Sequence, residues 1–226
     1  METVIYKKRS LNSGLKRFLN SLVSFIKIIR KEVSITYFVF FFASVLLVAL
    51  YNKADLHLIL NSYHSSFFDV FFKYSTFLGD GIMFAVLAII FLFVKRKMTL
   101  VFVVGGLLTL VITHFFKKII FKGVARPAEF LGLENLHLID GVKIAFWNSF
   151  PSGHTITAFT IFAILCLYFR KCVSQYIWIL LAIIAGISRV YLSQHFLMDI
   201  FVGSILGIVI GFVSMSLFFP ERKRVH

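Results

Sequence analysis

Charge is what this chain has least of. Only 15% of its 226 residues are Asp, Glu, Lys or Arg, and the acidic ones number ten. An ordinary soluble domain is about 25% charged and roughly 45–50% apolar; here the apolar share reaches 59%. Such a composition excludes a soluble globular fold and points to an integral membrane protein of several helices, one domain long. Cysteine is nearly absent. Cys166 lies in an apolar run and Cys172 in the short basic loop after it, which argues against both a disulfide framework and a zinc site. No cleavable signal peptide is evident, because the first apolar run begins only after some thirty polar or amphipathic residues and lacks a small-residue cleavage signature. Low-complexity segments and internal repeats are also missing, and no cluster of carboxylates offers a Mg²⁺ site.

What the chain does have is phenylalanine, 29 residues of it, and a formal net charge of +14. A strongly basic protein can bind nucleic acid, so the distribution of the charge decides. Lys and Arg gather at 7–9, 16–17, 27–31, 95–97, 170–171 and 222–224, in segments that alternate with apolar spans. That is the positive-inside pattern of a membrane protein, not a nucleic-acid stripe. The apolar runs predict six transmembrane helices in an all-α bundle: 34–51, 81–94, 98–116, 154–169, 176–187 and 200–219. Several are shorter than the ~20 residues that a helix needs to cross hydrocarbon, so flanking polar residues must extend them. Six spans place both termini in the cytoplasm. Between the first two, the stretch 67–77 predicts a helix along the outer interface.

Three segments follow from this layout: a basic amphipathic stretch over 1–34, a membrane domain over 35–219, and a basic tail over 220–226. In the first, Leu15, Phe18, Leu19, Leu22, Phe25, Ile26 and Ile29 recur at helical spacing opposite Lys16, Arg17 and Lys27. Such a helix lies on the inner leaflet, with Lys and Arg toward anionic head groups. In the last span Gly203, Gly207 and Gly211 form one small-residue face, suited to close packing within the bundle or to a homodimer seam.

The charges that remain among the apolar spans are concentrated. Ser188-Arg189 is followed, after five residues, by His195, and after three more by Asp199. On a helix His195 and Asp199 are i and i+4, sharing one face within hydrogen-bond reach. A carboxylate beside an imidazole sets its tautomer and supports positive charge on the ring, as a nucleophilic or basic histidine requires. Arg189 supplies a fixed cation for an anionic group. A plain interfacial ion pair explains this stretch equally well when it is taken alone. Two further polar clusters fall on the same, extracytoplasmic side: Lys117-Lys118 through Arg126-Pro127, and Pro151-Ser152-Gly153-His154. Pro and Ser before a helix leave free backbone N–H groups at a positive dipole end, a ready anion site. An ordinary N-cap would account for that tetrapeptide alone. A pocket built from all three clusters gathers at least three cations, two histidines and one carboxylate. It suits an anion.

Pro151-Ser152-Gly153-His154, taken with Ser188-Arg189, His195 and Asp199, resembles the type 2 phosphatidic acid phosphatase superfamily, in residue type, spacing and order. The resemblance runs from about residue 117 to the end of the sixth span. The first motif departs: the family has Lys, six residues, then Arg-Pro, but Ile119 occupies the lysine slot before Arg126-Pro127. Lys118 is one residue early, so a bulge or irregular turn near Gly123 must compensate, and Lys118 is the expected phosphate ligand, with Lys117 and Lys122 as alternatives. The resemblance implies that His195 attacks phosphorus to form a phosphohistidine, oriented by Asp199. It implies that His154 protonates the leaving oxygen, and that Lys118, Arg126, Ser152, Gly153 and Arg189 hold the phosphate oxygens, with no metal or cofactor. Glu129, Glu134, His137 and Asp140 read as solvated loop residues. A lipid phosphatase of a bacterial inner membrane is thereby expected, its substrate undecaprenyl diphosphate, with lipid A phosphate and phosphatidylglycerophosphate as alternatives. A lipid phosphotransferase and a lipid-phosphate transporter are the rival readings.

Overall fold

The computed structural model describes residues 16, 18–21, 23, 24, 27–170 and 172–219. Most of the N-terminal amphipathic stretch and the whole basic tail, including its Arg222-Lys223-Arg224 run, lie outside the described residues. The described chain is mostly helical; its longest irregular stretch, 136–152, is tied back by an isolated antiparallel bridge between Trp147 and Ala125. The helices are α1 (Lys31–Leu50), α2 (Lys53–Ser62), α3 (Ser66–Ser75), α4 (Ile82–Val94), α5 (Arg96–Phe115), α6 (Pro127–Leu131), α7 (Gly153–Tyr168), α8 (Cys172–Tyr191) and α9 (Leu197–Phe218). A 3₁₀ turn, Thr76–Gly79, separates α3 from α4, and α5 continues into a π-helical turn, Phe116–Ile120.

All six apolar runs are helices. Four of these elements are long and apolar enough to cross a membrane: α1, α5 with its π turn, α8 from Val173, and α9. The predicted second span is only α4, and it meets the Ser66–Gly79 segment at an angle of 61°. The predicted outer-interface stretch 67–77 is α3 and the 3₁₀ turn that follows. The fourth run, α7, has 16 residues, about 24 Å at 1.5 Å per residue. It is apolar on every side and buried on nearly every side, from Thr155 to Leu167, which is the pattern of a helix at the centre of a bundle. Large apolar side chains such as Phe38, Phe42, Phe93 and Leu110 point outward, the surface expected of helices facing lipid.

The contact that sets the bundle is α9 on α7. A Cβ at Gly207 would stand 2.6 Å from the Ile156 carbonyl oxygen and 2.7 Å from the Phe159 Cβ. One at Gly211 would meet the Ala163 Cβ at 2.8 Å, and one at Gly203 the Ser152 carbonyl at 3.1 Å. The glycine face is therefore consumed inside the chain, and the structure gives no support to a homodimer seam through Gly203, Gly207 and Gly211. With the backbones this close, Thr160 reaches across to donate to the Gly207 carbonyl at 3.1 Å. α1 closes one side through Tyr37, whose ring meets Phe159 edge-on and whose hydroxyl lies 3.1 Å from Ser204 Oγ.

Gly207→Ala should then destabilise the protein by about 1–3 kcal/mol, because the obstructing atoms are backbone and Cβ and cannot rotate away. Thermal unfolding in detergent checks this. An unchanged midpoint would show that α7 and α9 are less closely packed.

Candidate active site

α7 and α9 begin side by side. The Ser152 N–H donates to the Asp199 carbonyl at 3.2 Å, so the same packing that buries the glycines joins the Pro151-Ser152-Gly153-His154 and His195–Asp199 segments. Asp199 sits in the first turn of α9, where a carboxylate complements the helix dipole. Its Oδ2 receives the Phe196 N–H at 3.2 Å, His195 Nδ1 at 3.0 Å, and the Ser149 hydroxyl in a short bond. His195 and Asp199 are both almost wholly buried. A carboxylate only accepts hydrogen bonds, so Nδ1 of His195 carries the proton and Nε2 keeps its lone pair. His195 itself lines the main polar cavity.

That cavity encloses about 640 Å³, walled by Lys73, Lys117, Lys143, Arg126 and Arg189, with Gly153, His154 and His195 at its base and Asp80 as its carboxylate. Arg126 is held rigidly: its Nε donates to the Trp147 carbonyl at 3.0 Å and a terminal nitrogen to the Gln194 carbonyl at 3.0 Å. Arg189 donates to Thr76 Oγ1 at 2.6 Å, while its buried Nε has no acceptor among the described residues. A buried donor left without a partner beside a cavity marks a site for an acceptor ligand. The 3₁₀ turn lies so near α7 that a Cβ at Gly79 would stand 2.6 Å from the His154 carbonyl oxygen. That approach keeps the His154 backbone against the cavity wall.

Of the residues expected here, Arg126, Gly153, His154, Arg189 and His195 line the cavity, and Asp199 sits directly behind His195. Lys118 does not. It is exposed, whereas the half-buried Lys117 forms part of the wall. The physical reason is the π turn, Phe116–Ile120: its wider coil, together with the left-handed Gly123 (φ 78°), takes up the residues in excess of the family spacing. Lys122 is exposed as well. Ser152 is fully buried outside the cavity; its hydroxyl caps α7, accepting from the Thr155 amide at 3.4 Å and from Thr155 Oγ1 at 2.9 Å. Glu129, which stands on α6, and Glu134 and Asp140 are exposed, but His137 is not merely solvated, since its Nε2 lies 3.1 Å from Asp69. Sequence reasoning missed Ser149, Gln194, Thr76 and Asp80. Ser149 and Gln194 stand beside the motifs; Thr76 and Asp80 carry no signal along the chain.

Comparison with known proteins now decides the family. The PAP2 superfamily matches residues 96–223, more than half of the chain. The chain belongs to the PAP2 superfamily. Among curated PAP2 relatives, a bacitracin transport permease protein, BcrC of Bacillus licheniformis, is 29% identical over 107 residues. That match spans 47% of this chain and about half of the relative, 51% of its length. The lipid A 4'-phosphatase of Porphyromonas gingivalis is 26% identical over 186 residues, covering 76% of this chain and 75% of that one. The crystal structure of LpxE from Aquifex aeolicus superposes with a TM-score of 0.65 at 29% identity, over 74% of this chain and 96% of that one. A transmembrane PAP2-type phosphatidylglycerolphosphate phosphatase from Bacillus subtilis shares the fold, with a TM-score of 0.56 at 22% identity over 94% and 98% of the two chains. The protein is thus a membrane-embedded, all-helical PAP2 protein.

Within this PAP2 site, burial first, and then the charges of Lys117, Arg126 and Arg189, hold the His195 imidazole well below its ordinary value of 6.5. The folded protein therefore keeps His195 neutral at pH values where the unfolded chain protonates it. The stability linked to this group is fully present above pH 6.5 and is lost as the pH falls below it, by up to about 1.4 kcal/mol per pH unit. Unfolding midpoints between pH 7.5 and 5.5 should fall further in the wild type than in His195→Gln. Equal slopes would mean that the imidazole is not held neutral. The position of Lys117 also predicts that Lys117→Ala slows turnover about ten-fold more than Lys118→Ala, and the opposite order in steady-state rates would place Lys118 on the substrate.

Proposed function

We propose that this protein hydrolyses lipid phosphates or diphosphates through a phosphohistidine on His195. The observation that carries the reading is the His195 imidazole, hydrogen-bonded through Nδ1 to Asp199 and facing a cavity walled by five Lys and Arg side chains. The Nε2 lone pair of His195 attacks phosphorus, forming the N–P bond as the bond to the leaving oxygen breaks, and His154 gives that oxygen a proton. His154 then removes a proton from water, whose oxygen attacks phosphorus, breaks the N–P bond and returns His195 to its neutral state. Lys117, Arg126, Arg189 and the first amides of α7 stabilise the equatorial oxygens as charge develops on them. Asp199 orients the ring and stabilises the imidazolium character of the intermediate. Ser152 contributes by ending α7, which aims those amides at the phosphate. The fixed cations neutralise the phosphate, and no step of the scheme calls for a metal ion.

A lipid substrate is supported by a second hollow. A groove of about 570 Å³ runs between α4 and α5, lined by Phe84, Ala85, Ala88, Val103, Gly106 and Leu107 and ending on Gly153 and His154. It shares those two residues with the polar cavity. An apolar chain lying in the groove would leave its head group at His195, so the substrate enters sideways from the bilayer. Among head groups a diphosphate suits the cavity best. Three cations surround the histidines, and Lys73 and Lys143 add two more on the cavity wall, beyond what one phosphate requires. Undecaprenyl diphosphate is the substrate proposed on that ground, ahead of lipid A phosphate and phosphatidylglycerophosphate. We place the protein in a bacterial inner membrane as six spans, with the cavity on the extracytoplasmic side. That orientation puts the basic turn Lys95-Arg96-Lys97 and Arg170 inside.

Phosphate release by purified protein from undecaprenyl diphosphate, lipid A and phosphatidylglycerophosphate, each with EDTA present, tests the reading. Wild type should turn over in EDTA, fastest on the diphosphate, and His195→Ala should lose roughly a thousand-fold or more. Retained activity in His195→Ala would move the nucleophile elsewhere. Loss of activity in EDTA with recovery in Mg²⁺ would overturn the metal-free scheme, and phosphate passed to a lipid acceptor without free phosphate would make the protein a transferase.

A further inference from the structure

Behind the turn that carries His195 lies a second polar network, built largely from residues outside the family motifs. Between α8 and α9 the chain passes through Ser193, a non-glycine residue held in the left-handed region at φ 51°. That conformation is uncommon for such a residue and persists where the surroundings over-determine it. The surroundings here are two buried side chains of α2. His57 Nε2 lies 3.2 Å from Ser193 Oγ, and the Asn61 side-chain amide donates to the same oxygen at 3.1 Å. His57 is 2% exposed, Asn61 6% and Ser193 1%. Burial of polar side chains in an apolar bundle is costly unless each is satisfied, so their placement on one hydroxyl calls for a reason.

The same Asn61 also grips the loop that walls the cavity: its carbonyl accepts the His137 N–H at 2.7 Å, and its amide donates to the His137 carbonyl at 3.1 Å. His137 in turn lies 3.1 Å from Asp69, which accepts the Tyr191 hydroxyl at 2.6 Å. Tyr191 is the last residue of α8, two before Ser193. The His57 ring stands edge-on against Phe196 at 5.4 Å. The His195 turn is therefore held on both flanks, at Tyr191–Ser193 and at Phe196, by α2 and α3. None of His57, Asn61 and Ser193 is among the residues lining the cavity.

We propose that His57 and Asn61 are positioning residues for the nucleophile: through Ser193 they hold the left-handed turn that presents His195 Nε2 to the cavity. The inference rests on His195 being the nucleophile. A displacement of about 1 Å at a reacting atom can cost a hundred-fold in rate, while substrate contacts made by the cavity cations would be untouched. The signature is a fall in kcat with KM preserved.

The test uses the full chain in detergent, with phosphate release from undecaprenyl diphosphate, lipid A and phosphatidylglycerophosphate measured separately, and with His195→Ala alongside. Ser193→Gly removes the hydroxyl but favours φ above zero, so the fold survives; it should lower kcat about ten-fold or more with KM within about two-fold. Asn61→Ala should do the same, and Ser193→Gly/Asn61→Ala should be no slower than the slower single variant. His57→Phe keeps the ring shape without nitrogens and should lose kcat, whereas His57→Gln, with an amide nitrogen in place of Nε2, should recover most of it. Wild-type kcat in Ser193→Gly and Asn61→Ala, with His195→Ala inactive, would overturn the positioning role and leave the phosphatase reading intact. Losses that multiply in the double variant, or that appear only in KM, would also overturn it. Activity in His195→Ala would bring down the phosphatase reading itself, and the positioning role with it.

Discussion

A carboxylate buried at the end of a membrane bundle needs hydrogen-bond donors, and Asp199 gathers three of them on Oδ2 from two segments. Phe196 and His195 come from its own helix start, and Ser149 comes from the irregular segment before α7. Because the imidazole is one of those donors, satisfying Asp199 also sets the tautomer of His195 and leaves Nε2 bare toward the cavity. Removal of any partner would leave a buried charge under-bonded, at a cost larger than the bond's own contribution. The chemistry proposed for the site and the stability of the bundle end are therefore the same interaction.

That interaction exists only because α7 and α9 touch. Glycines at every fourth position let the two backbones meet along several turns, and the contact brings the Ser152 amide onto the Asp199 carbonyl. In lipid, helices gain little from burying apolar surface against one another, so close packing and cross-helix hydrogen bonds take over that role. The central position of α7 follows. It is short, apolar on all sides and enclosed, and its N-terminus delivers His154 and the first amides to the cavity. The broken α3–α4 segment completes the arrangement, with Gly79 against the His154 backbone and Thr76 on Arg189.

Much of this was legible along the chain. The six apolar runs are helices, and His154, Arg189 and His195 share one cavity because each stands where an apolar run ends. What was not legible falls into two kinds. One is register: a lysine at 118 looked nearer to the family spacing than one at 117, and only the π turn shows which of them turns inward. The other is long-range polar contact. Thr76, Asp80, His57 and Asn61 belong to the external segment between the first two spans, and nothing local marks them as neighbours of His195.

The sequence alone determined that the chain lives in a membrane, where its six apolar helices begin and end within a few residues, and where its rare charged and histidine residues gather. These follow from hydrophobic periodicity, from the alternation of basic loops with apolar spans, and from side-chain chemistry, all of which are local. The tertiary structure alone decided that the glycine face packs inward, that Lys117 rather than Lys118 meets the cavity, and that Ser193 is clasped by α2. Each of these depends on which surfaces meet and on a rotation of a fraction of a turn, and a helix side chain swings by about 100° for every residue of register.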